Sequence, residues 1–286
     1  MIDLAAIQSA FPQLANITPL KAISGQKDVF RSTLATNTVA LKIIKKIGPE
    51  QDRAEREIAA VAILRSNYVP RVYEHGQRVI AGEDRYFIIE EFIEGETYRD
   101  RLIKQPAQTL HDVLNLGYVL LHACVDFEAA PSHGLVHRDI KPENLIIDNN
   151  GKIWIIDFGI VRFLGLPSIT PDNRLGMFTL GYGAPEQMRN LKAQINSRAD
   201  LYSVGIILYE SLVGFHPYGA GVRDQFAVWN DMQNVDLQPL IIQGDTGDNL
   251  SQFIAALTAR FPSRRPQTAV EALQWFLPIY TDLIRP

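Results

Sequence analysis

The segment that most constrains this chain is a polar loop (residues 137–144) followed by two short β-rich runs, in the stretch HGLVHRDIKPENLIIDNNGKIWIIDFG. The runs NLIID and KIWIID are joined by Asn-Asn-Gly, and an Asn-Gly pair favours a tight hairpin. The loop carries Asp139, Lys141 and Asn144, and Asp157 comes at the end of the second run. We therefore expect one loop and one hairpin to present two carboxylates, an ammonium and an amide.

This set of side chains suits phosphoryl transfer. One carboxylate positions and deprotonates an attacking hydroxyl, and a lysine steadies the transferring phosphate. The second carboxylate and the amide oxygen suit Mg²⁺, a hard cation that prefers oxygen ligands. An isolated HRD or DFG tripeptide is usually a turn with a solvated charge. Only the joint occurrence of the motifs, in order, makes coincidence the weaker account.

The chain divides into a β-rich first third and a larger helical remainder, with the change near residues 93–98. Composition and periodicity predict strands at 38–44, 85–93, 144–148 and 152–157, and helices at 48–66 and 109–130. Several further helices are predicted from Asp200 onward. The predicted fold class is α+β.

Composition and charge exclude several other classes. Lys plus Arg total 28 and Asp plus Glu total 32, a formal net charge of −4, so binding to nucleic acid or to an anionic membrane is not expected. No apolar run reaches the roughly 18 residues that span a bilayer. The shorter run LYSVGIILYESLVG carries Glu210 and predicts a buried helix. Cys124, the single cysteine, stands in an apolar run that predicts a buried thiol. We expect a cytoplasmic protein.

Taken together, the motifs resemble those of the eukaryotic-like Ser/Thr protein kinases. Three motifs match in order: the catalytic loop at His137-Arg138-Asp139 with Lys141 and Asn144, the metal-binding motif at Asp157-Phe158-Gly159, and the end of the activation segment at Ala184-Pro185-Glu186.

Supporting positions match the family as well. VALK ends at Lys42, the strand lysine, and Glu57 in REIAAVAIL is its expected helix partner. Asp200 matches the residue that braces the catalytic loop, and Arg265 matches the arginine that pairs with Glu186.

The resemblance implies a single protein kinase domain over residues 1–286 with a bilobal fold. A small β-rich N-lobe with one main helix is expected at about 1–94, and a larger α-helical C-lobe at about 95–286. ATP and Mg²⁺ are the implied cofactors, and a protein is the implied substrate. The implied roles are Asp139 as catalytic base, Asn144 and Asp157 as magnesium ligands, Lys42 oriented by Glu57 as anchor of the α/β-phosphates, and Lys141 as stabiliser of the γ-phosphate.

The resemblance also implies an adenine pocket between the two lobes. Val29, Ala40 and Ile146 are expected to sandwich the ring, and backbone groups from Glu91 to Ile93 to bond its edge. Glu90 falls at the position that gates the back of the pocket, where the family more commonly has an apolar residue or Thr.

The phosphate loop departs from the family pattern of three glycines. With Val29 as anchor, Ser24 and Lys27 stand at the second and third glycine positions, and Gly25 is the only glycine nearby. Glycine is favoured there because a loop without Cβ lets its amides approach phosphate. Three explanations are open: Lys27 supplies a cation instead, the loop binds ATP weakly, or it covers the nucleotide after rearrangement. A further hypothesis makes Ser24 a regulatory phosphorylation site.

Lys141 and Thr179 match the Ser/Thr branch of the family rather than the Tyr branch. Arg138 beside the catalytic Asp indicates activation by loop phosphorylation, with Thr170 as the first candidate site and self-phosphorylation as the route. Two other functions are kept as alternatives. One is a pseudokinase-like nucleotide-binding scaffold, and the other is a toxin-type kinase with a non-protein acceptor.

Overall fold

The computed structural model describes residues 2–20, 27–44, 59, 61–130, 134–158, 181–189 and 195–284. Several residues singled out in the sequence lie outside these ranges: Ser24, Gly25, Glu57, Gly159, Thr170 and Thr179. Of the helix predicted at 48–66, residues 59 and 61–66 are described. Residues 59 and 61–63 are helical, whereas residues 64–66 are not, so the helix ends earlier than predicted.

The described residues group into two compact units. The first is built from residues up to Leu64 and from Val69–Glu94, and the second from Arg65–Tyr68, Gly95–Phe158 and the described residues from 181 onward. The first unit contains α1 (Leu4–Ala10), β1 (Leu14–Leu20), β2 (Lys27–Leu34), β3 (Asn37–Ile44), β4 (Val72–Ile80) and β5 (Glu83–Glu91). Its five strands form one antiparallel sheet in the order β1-β2-β3-β5-β4.

One face of this sheet carries the core of the first unit. Leu41 and Ile43 of β3 belong to a buried apolar cluster that includes Phe11, the residue after α1, and Phe87 of β5. The Phe11 and Phe87 rings meet edge to face, with 4.9 Å between their centroids. Because successive side chains of a strand point to opposite faces, Lys42 lies on the face away from this cluster. There its backbone pairs with Val29 of β2 and with Ile88 of β5.

The second unit combines a small sheet with a helical body. It contains β6 (Gly95–Thr97), α2 (Tyr98–Lys104), α3 (Leu110–Glu128), a 3-10 turn (Pro142–Asn144), β7 (Leu145–Asp148), β8 (Ile153–Ile155), α4 (Pro185–Met188), α5 (Ser197–Val213), α6 (Gln225–Asn234), α7 (Asn249–Leu257), a 3-10 turn (Pro262–Arg264) and α8 (Ala269–Ile284). The strands pair antiparallel in the order β6-β7-β8.

Helix α5 forms the centre of the second unit. Asn196 caps its first turn by accepting the Arg198 N–H at 3.1 Å, and Gly214 ends it in the left-handed conformation, at φ 83°. Buried residues occur all around the helix rather than along one stripe, as in helices enclosed by the core. The buried helix predicted here is confirmed. None of the helices in the described part of the chain is long and apolar enough to cross a membrane.

The α+β prediction is confirmed, with shifts at the element ends. The strand predicted at 85–93 runs from Glu83 to Glu91. One further bond to β3 follows its last pair, from the Phe92 N–H to the carbonyl of Thr38 at 3.2 Å. The helix predicted at 109–130 spans Leu110–Glu128. Cys124 is buried in this helix as predicted, and burial raises the pKa of its thiol well above the usual value.

A buried ion pair joins two distant parts of the second unit. Arg265 makes two hydrogen bonds to Glu186, at 2.7 and 3.0 Å, and both side chains are almost fully buried. The same guanidinium donates to the carbonyls of Ala259 and Arg198, at 2.8 and 2.9 Å. Because the Glu186 carboxylate is almost fully buried, water cannot readily replace the arginine there, so the arginine is expected to be essential for this packing.

We expect Arg265→Met to lower the free energy of unfolding by about 3–5 kcal/mol, because the Glu186 carboxylate is then left buried without its partner. Urea unfolding followed by circular dichroism measures the change. Arg264→Met is the matched control, since Arg264 is exposed and stacks on Phe261 at the surface. Its loss is expected to cost about 1 kcal/mol or less. Equal losses in the two variants would contradict the account.

Candidate active site

The polar loop is anchored through its backbone by one carboxylate of α5. The N–H groups of His137 and Arg138 each donate to a different oxygen of Asp200, both at 2.7 Å. Asp200 is only 1% exposed. Burial raises the pKa of this carboxyl to about 7, and the two N–H donors oppose that shift. The anchor holds Arg138 in the left-handed region, at φ 64°, a conformation that an L-residue adopts at a cost.

The His137 ring fixes the next turn of the loop. Its Nδ1 accepts the N–H of Asp139 at 3.3 Å, so Nε2 carries the proton and donates to the carbonyl of Ile156 at 3.2 Å. The ring also lies against Phe158, with 4.5 Å between centroids. His137 therefore ties the polar loop to the segment that leads into Asp157.

The loop brings together the three side chains that the sequence singled out. Lys141 Nζ lies 3.1 Å from Asp139 Oδ2, and Asn144 Nδ2 donates to the same oxygen at 3.1 Å and to the Asp139 carbonyl at 2.8 Å. The 3-10 turn at Pro142–Asn144 closes this arrangement, because the Asn144 N–H donates to the Lys141 carbonyl at 2.9 Å. These two donors fix the orientation of the Asp139 carboxylate.

Asp157 is held beside the same loop by the hairpin. The Asn144 carbonyl accepts the N–H of Ile156 at 2.9 Å, and Leu145 of β7 pairs with Ile155 of β8. Asp157 follows directly, half-buried and at φ 62°. Ile146, expected at the adenine ring, is half-buried on β7 and pairs with Trp154.

The donors present fit a hard divalent cation. The Asn144 nitrogen is the donor in both bonds to Asp139, which leaves the amide oxygen as the atom suited to a metal, and Asp157 supplies a carboxylate. Within the described ranges, no group of three or more His, Cys, Asp or Glu side chains could hold a metal ion. A cation bound by one carboxylate and one amide draws its other ligands from water and from substrate phosphates, as Mg²⁺ commonly does.

The first unit carries the other predicted residues on the sheet face away from its core. Ala40 is 6% exposed and Lys42 8% exposed on β3, and Val29 of β2 lies directly opposite Lys42. Lys27, the first residue of β2, pairs with Ile44. The Lys42 ammonium contacts the carboxylate of Glu90, with 2.5 Å between Nζ and Oε1. The sequence marked Glu90 as unusual at the back of the expected pocket but did not indicate that it pairs with Lys42.

The end of β5 and the residues that follow it carry the backbone groups expected to bond a base. The Glu91 N–H already donates to the carbonyl of Arg71 at 2.8 Å, so that donor is committed within the fold. Glu91 pairs with Val39 of β3, and its side chain lies on the other face of the sheet from that of Glu90. Ile93, two residues on, is 9% exposed.

A second polar network near the loop was not predicted. Arg99 of α2 donates to Glu143 at 2.8 Å and to Glu210 at 2.9 Å, and its guanidinium also bonds the Tyr182 hydroxyl. Burial raises the pKa of Tyr182, whose hydroxyl donates in turn to Glu210. Gln187 adds another link, because its side chain donates to the Arg138 carbonyl at 3.1 Å. The partners of Arg99 are 44 to 111 residues away in the sequence, so no local sequence pattern could predict these contacts.

Comparison with known proteins gives a consistent result. A family model described as the protein kinase domain matches residues 27–276. The serine/threonine-protein kinase PknL of Mycobacterium tuberculosis is 34% identical over 237 residues, covering 81% of this chain and 56% of the relative. The probable serine/threonine-protein kinase pknA2 of Bifidobacterium longum is 29% identical over 244 residues, covering 83% of this chain and 31% of the relative. The serine/threonine-protein kinase PknB of Mycolicibacterium smegmatis is 27% identical over 234 residues, covering 82% and 35%.

This chain spans about half the length of PknL, and less of the other two relatives. The family model nevertheless matches most of the chain, including every motif on which the resemblance was based, and its match begins at Lys27 within the atypical phosphate loop. The resemblance drawn from the sequence is confirmed, and the chain belongs to the protein kinase domain family.

Proposed function

We propose that this protein is an ATP-dependent Ser/Thr protein kinase that transfers the γ-phosphate of ATP to Ser or Thr hydroxyls of a protein and of itself. The observation that carries the proposal is the cluster in which an ammonium and an amide both lie 3.1 Å from one oxygen of Asp139. The relatives named Ser/Thr protein kinases support the same activity.

Asp139 acts as the catalytic base in this proposal. Its carboxylate orients the acceptor hydroxyl and takes its proton as the new bond between that oxygen and the γ-phosphorus forms, while the bond from the γ-phosphorus to the bridging oxygen breaks and ADP leaves. Lys141, 3.1 Å from that carboxylate, places a positive charge where the γ-phosphate gathers negative charge. The contribution is mostly positioning and electrostatic, because phosphoryl transfer needs little covalent help from the protein.

The nucleotide is bound by the residues that the sequence indicated. Lys42 anchors the α/β-phosphates, with Glu57 as its helix partner, and Val29, Ala40 and Ile146 contact the adenine ring. Backbone groups of Glu91 and Ile93 bond the edge of the ring. Ser24, Gly25 and Lys27 cover the phosphates in place of a glycine-rich loop. One amide is not available to the ring, since the Glu91 N–H is already donated to Arg71.

Family membership implies a divalent metal, and we propose Mg²⁺, held by the Asn144 amide oxygen and the Asp157 carboxylate. Bound there, the ion would neutralise charge on the phosphates of ATP. Both ligands are oxygens and few in number, which suits a cation that keeps waters and phosphate oxygens as ligands.

Neither a nucleotide-binding scaffold nor a kinase with a non-protein acceptor is supported by the relatives. The scaffold alternative depended on the phosphate loop, whereas the base, the lysines and the metal ligands are all present in the sequence. We further propose a cytoplasmic protein with protein partners. The net charge of −4 argues against nucleic acid as the acceptor.

Phosphate transfer tests the proposed activity. With γ-labelled ATP and Mg²⁺, wild-type protein is expected to label itself and a general protein substrate. Asp139→Asn and Lys42→Ala are each expected to lower labelling at least 100-fold while the fold is retained, since each removes a group that acts on the reacting phosphates.

Asp282→Asn and Lys104→Ala are the matched controls, because both side chains are exposed and far from the loop in sequence. Their labelling should equal that of wild type. Transfer near the wild-type rate in Asp139→Asn or in Lys42→Ala would overturn the roles assigned to them.

Metal dependence tests the proposed ligands. Removal of divalent ions with a chelator is expected to stop transfer, and added Mg²⁺ to restore it. Asp157→Asn should raise the Mg²⁺ concentration for half-maximal transfer by about 10-fold or more, because a neutral amide binds a hard cation more weakly than a carboxylate. An unchanged Mg²⁺ requirement in Asp157→Asn, with Asp282→Asn as control, would remove Asp157 from the metal site.

A further inference from the structure

The ammonium of Lys42 has a carboxylate partner within its own sheet. Its Nζ lies 2.5 Å from Glu90 Oε1, and the two side chains are 10% and 12% exposed. Glu57, the partner expected from the sequence, lies outside the described residues. Glu90 is thus a partner of Lys42 that the structure establishes, on a strand rather than on a helix.

The strand register makes this contact a property of the sheet. Ala40 of β3 pairs with Glu90 of β5, and Lys42 pairs with Ile88, so Lys42 and Glu90 are diagonal neighbours on one face. Diagonal positions are roughly 7–8 Å apart at the backbone, a gap that two long side chains close. Both strands are interior, since β3 lies between β2 and β5, and β5 between β3 and β4. The two ends of the pair are therefore held by ladders on either side.

Stability alone does not account for an ion pair at this place. Removing two charges from water costs several kcal/mol per ion, and an apolar pair of similar volume is often as stable or more so. The adjoining positions on the same face are apolar: Ile88 is 5% exposed and Tyr86 2% exposed. A charge pair among such residues is better explained if the carboxylate holds the lysine ammonium in one position.

We propose that Glu90 is a positioning residue for Lys42, holding its ammonium where the phosphates of the nucleotide bind. The inference rests on the proposed function, in which Lys42 anchors those phosphates. Glu90 acts only through Lys42. It does not contact the reacting atoms, and it adds a carboxylate carried by the sheet to the one expected from the helix.

Binding of ADP and of adenosine, measured by calorimetry with Mg²⁺ present, tests this role. Glu90→Gln keeps the shape of the side chain and removes its charge. We expect it to lower the affinity for ADP about 10-fold and to change the affinity for adenosine less than 2-fold, because adenosine has no phosphate for Lys42 to bind. Glu83→Gln, at the exposed start of the same strand, is the matched control and should change neither affinity.

A double-mutant cycle separates positioning from a general structural effect. If Glu90 acts through Lys42, Glu90→Gln should change ADP affinity less than 2-fold when Lys42→Met is already present, since coupled residues are not additive. Glu90→Asp keeps the charge on a shorter side chain, and its affinity for ADP should lie between the affinities of wild type and Glu90→Gln. If Glu90→Gln does not fold, Glu90→Asp takes its place in the comparison of ADP with adenosine and in the cycle with Lys42→Met.

Three results would overturn the proposal: an ADP affinity that is unchanged or higher in Glu90→Gln, an equal loss for adenosine, or full additivity with Lys42→Met. A higher ADP affinity would mean that the carboxylate competes with phosphate for the lysine. The proposed kinase activity fails separately, when wild-type protein binds ADP yet transfers no phosphate. The binding comparison still decides the role of Glu90 in that case.

Discussion

Two backbone N–H groups donated to one buried carboxylate hold the polar loop in place. Asp200 belongs to α5, the helix enclosed by the core of the second unit, so the anchor is as rigid as the core itself. Without it, two buried N–H groups would lose their acceptor and the left-handed Arg138 would lose its support, each at a cost of about 1–3 kcal/mol. The arrangement of Asp139, Lys141 and Asn144 depends on this one interaction.

Charge at the proposed site is arranged in pairs. Asp139 lies beside the ammonium of Lys141 in the second unit, and Glu90 beside the ammonium of Lys42 in the first. Each pair places a lysine that we propose contacts phosphate next to a carboxylate on the same loop or sheet. Such pairing limits the positions that a long, flexible lysine can adopt, and a fixed charge costs less to reorganise when the reaction occurs.

Sequence reasoning anticipated contacts between residues that lie close together in the chain. The polar loop and the hairpin follow one another within a short stretch, so turn chemistry and residue spacing were enough to predict that Asp139, Lys141 and Asn144 meet. The strand that carries Lys42 and its neighbour β5 were predicted to within two residues at each end, whereas β2 on the other side was not predicted. The buried helix α5 was predicted because its apolar run is too short to span a bilayer and carries Glu210.

Contacts between distant residues needed the structure. Glu90 was recognised as unusual at its position, yet its contact with Lys42 depends on the register of β3 against β5, which neither strand encodes alone. The Arg99 network joins α2, the 3-10 turn, Tyr182 and α5, and no spacing in the sequence indicates it. Polar networks of this kind form from residues that tertiary packing brings together, and only their individual charges are visible beforehand.

We propose that Asp139 directs a protein hydroxyl at the γ-phosphate of ATP. The most direct test of this proposal is the stoichiometry of one reaction: ADP released against phosphate found on Ser and Thr side chains, measured by chromatography and mass spectrometry in the same sample. One phosphoserine or phosphothreonine for each ADP is the predicted result. ADP released without any phosphorylated hydroxyl, or phosphate found only on a non-protein acceptor, would contradict the account.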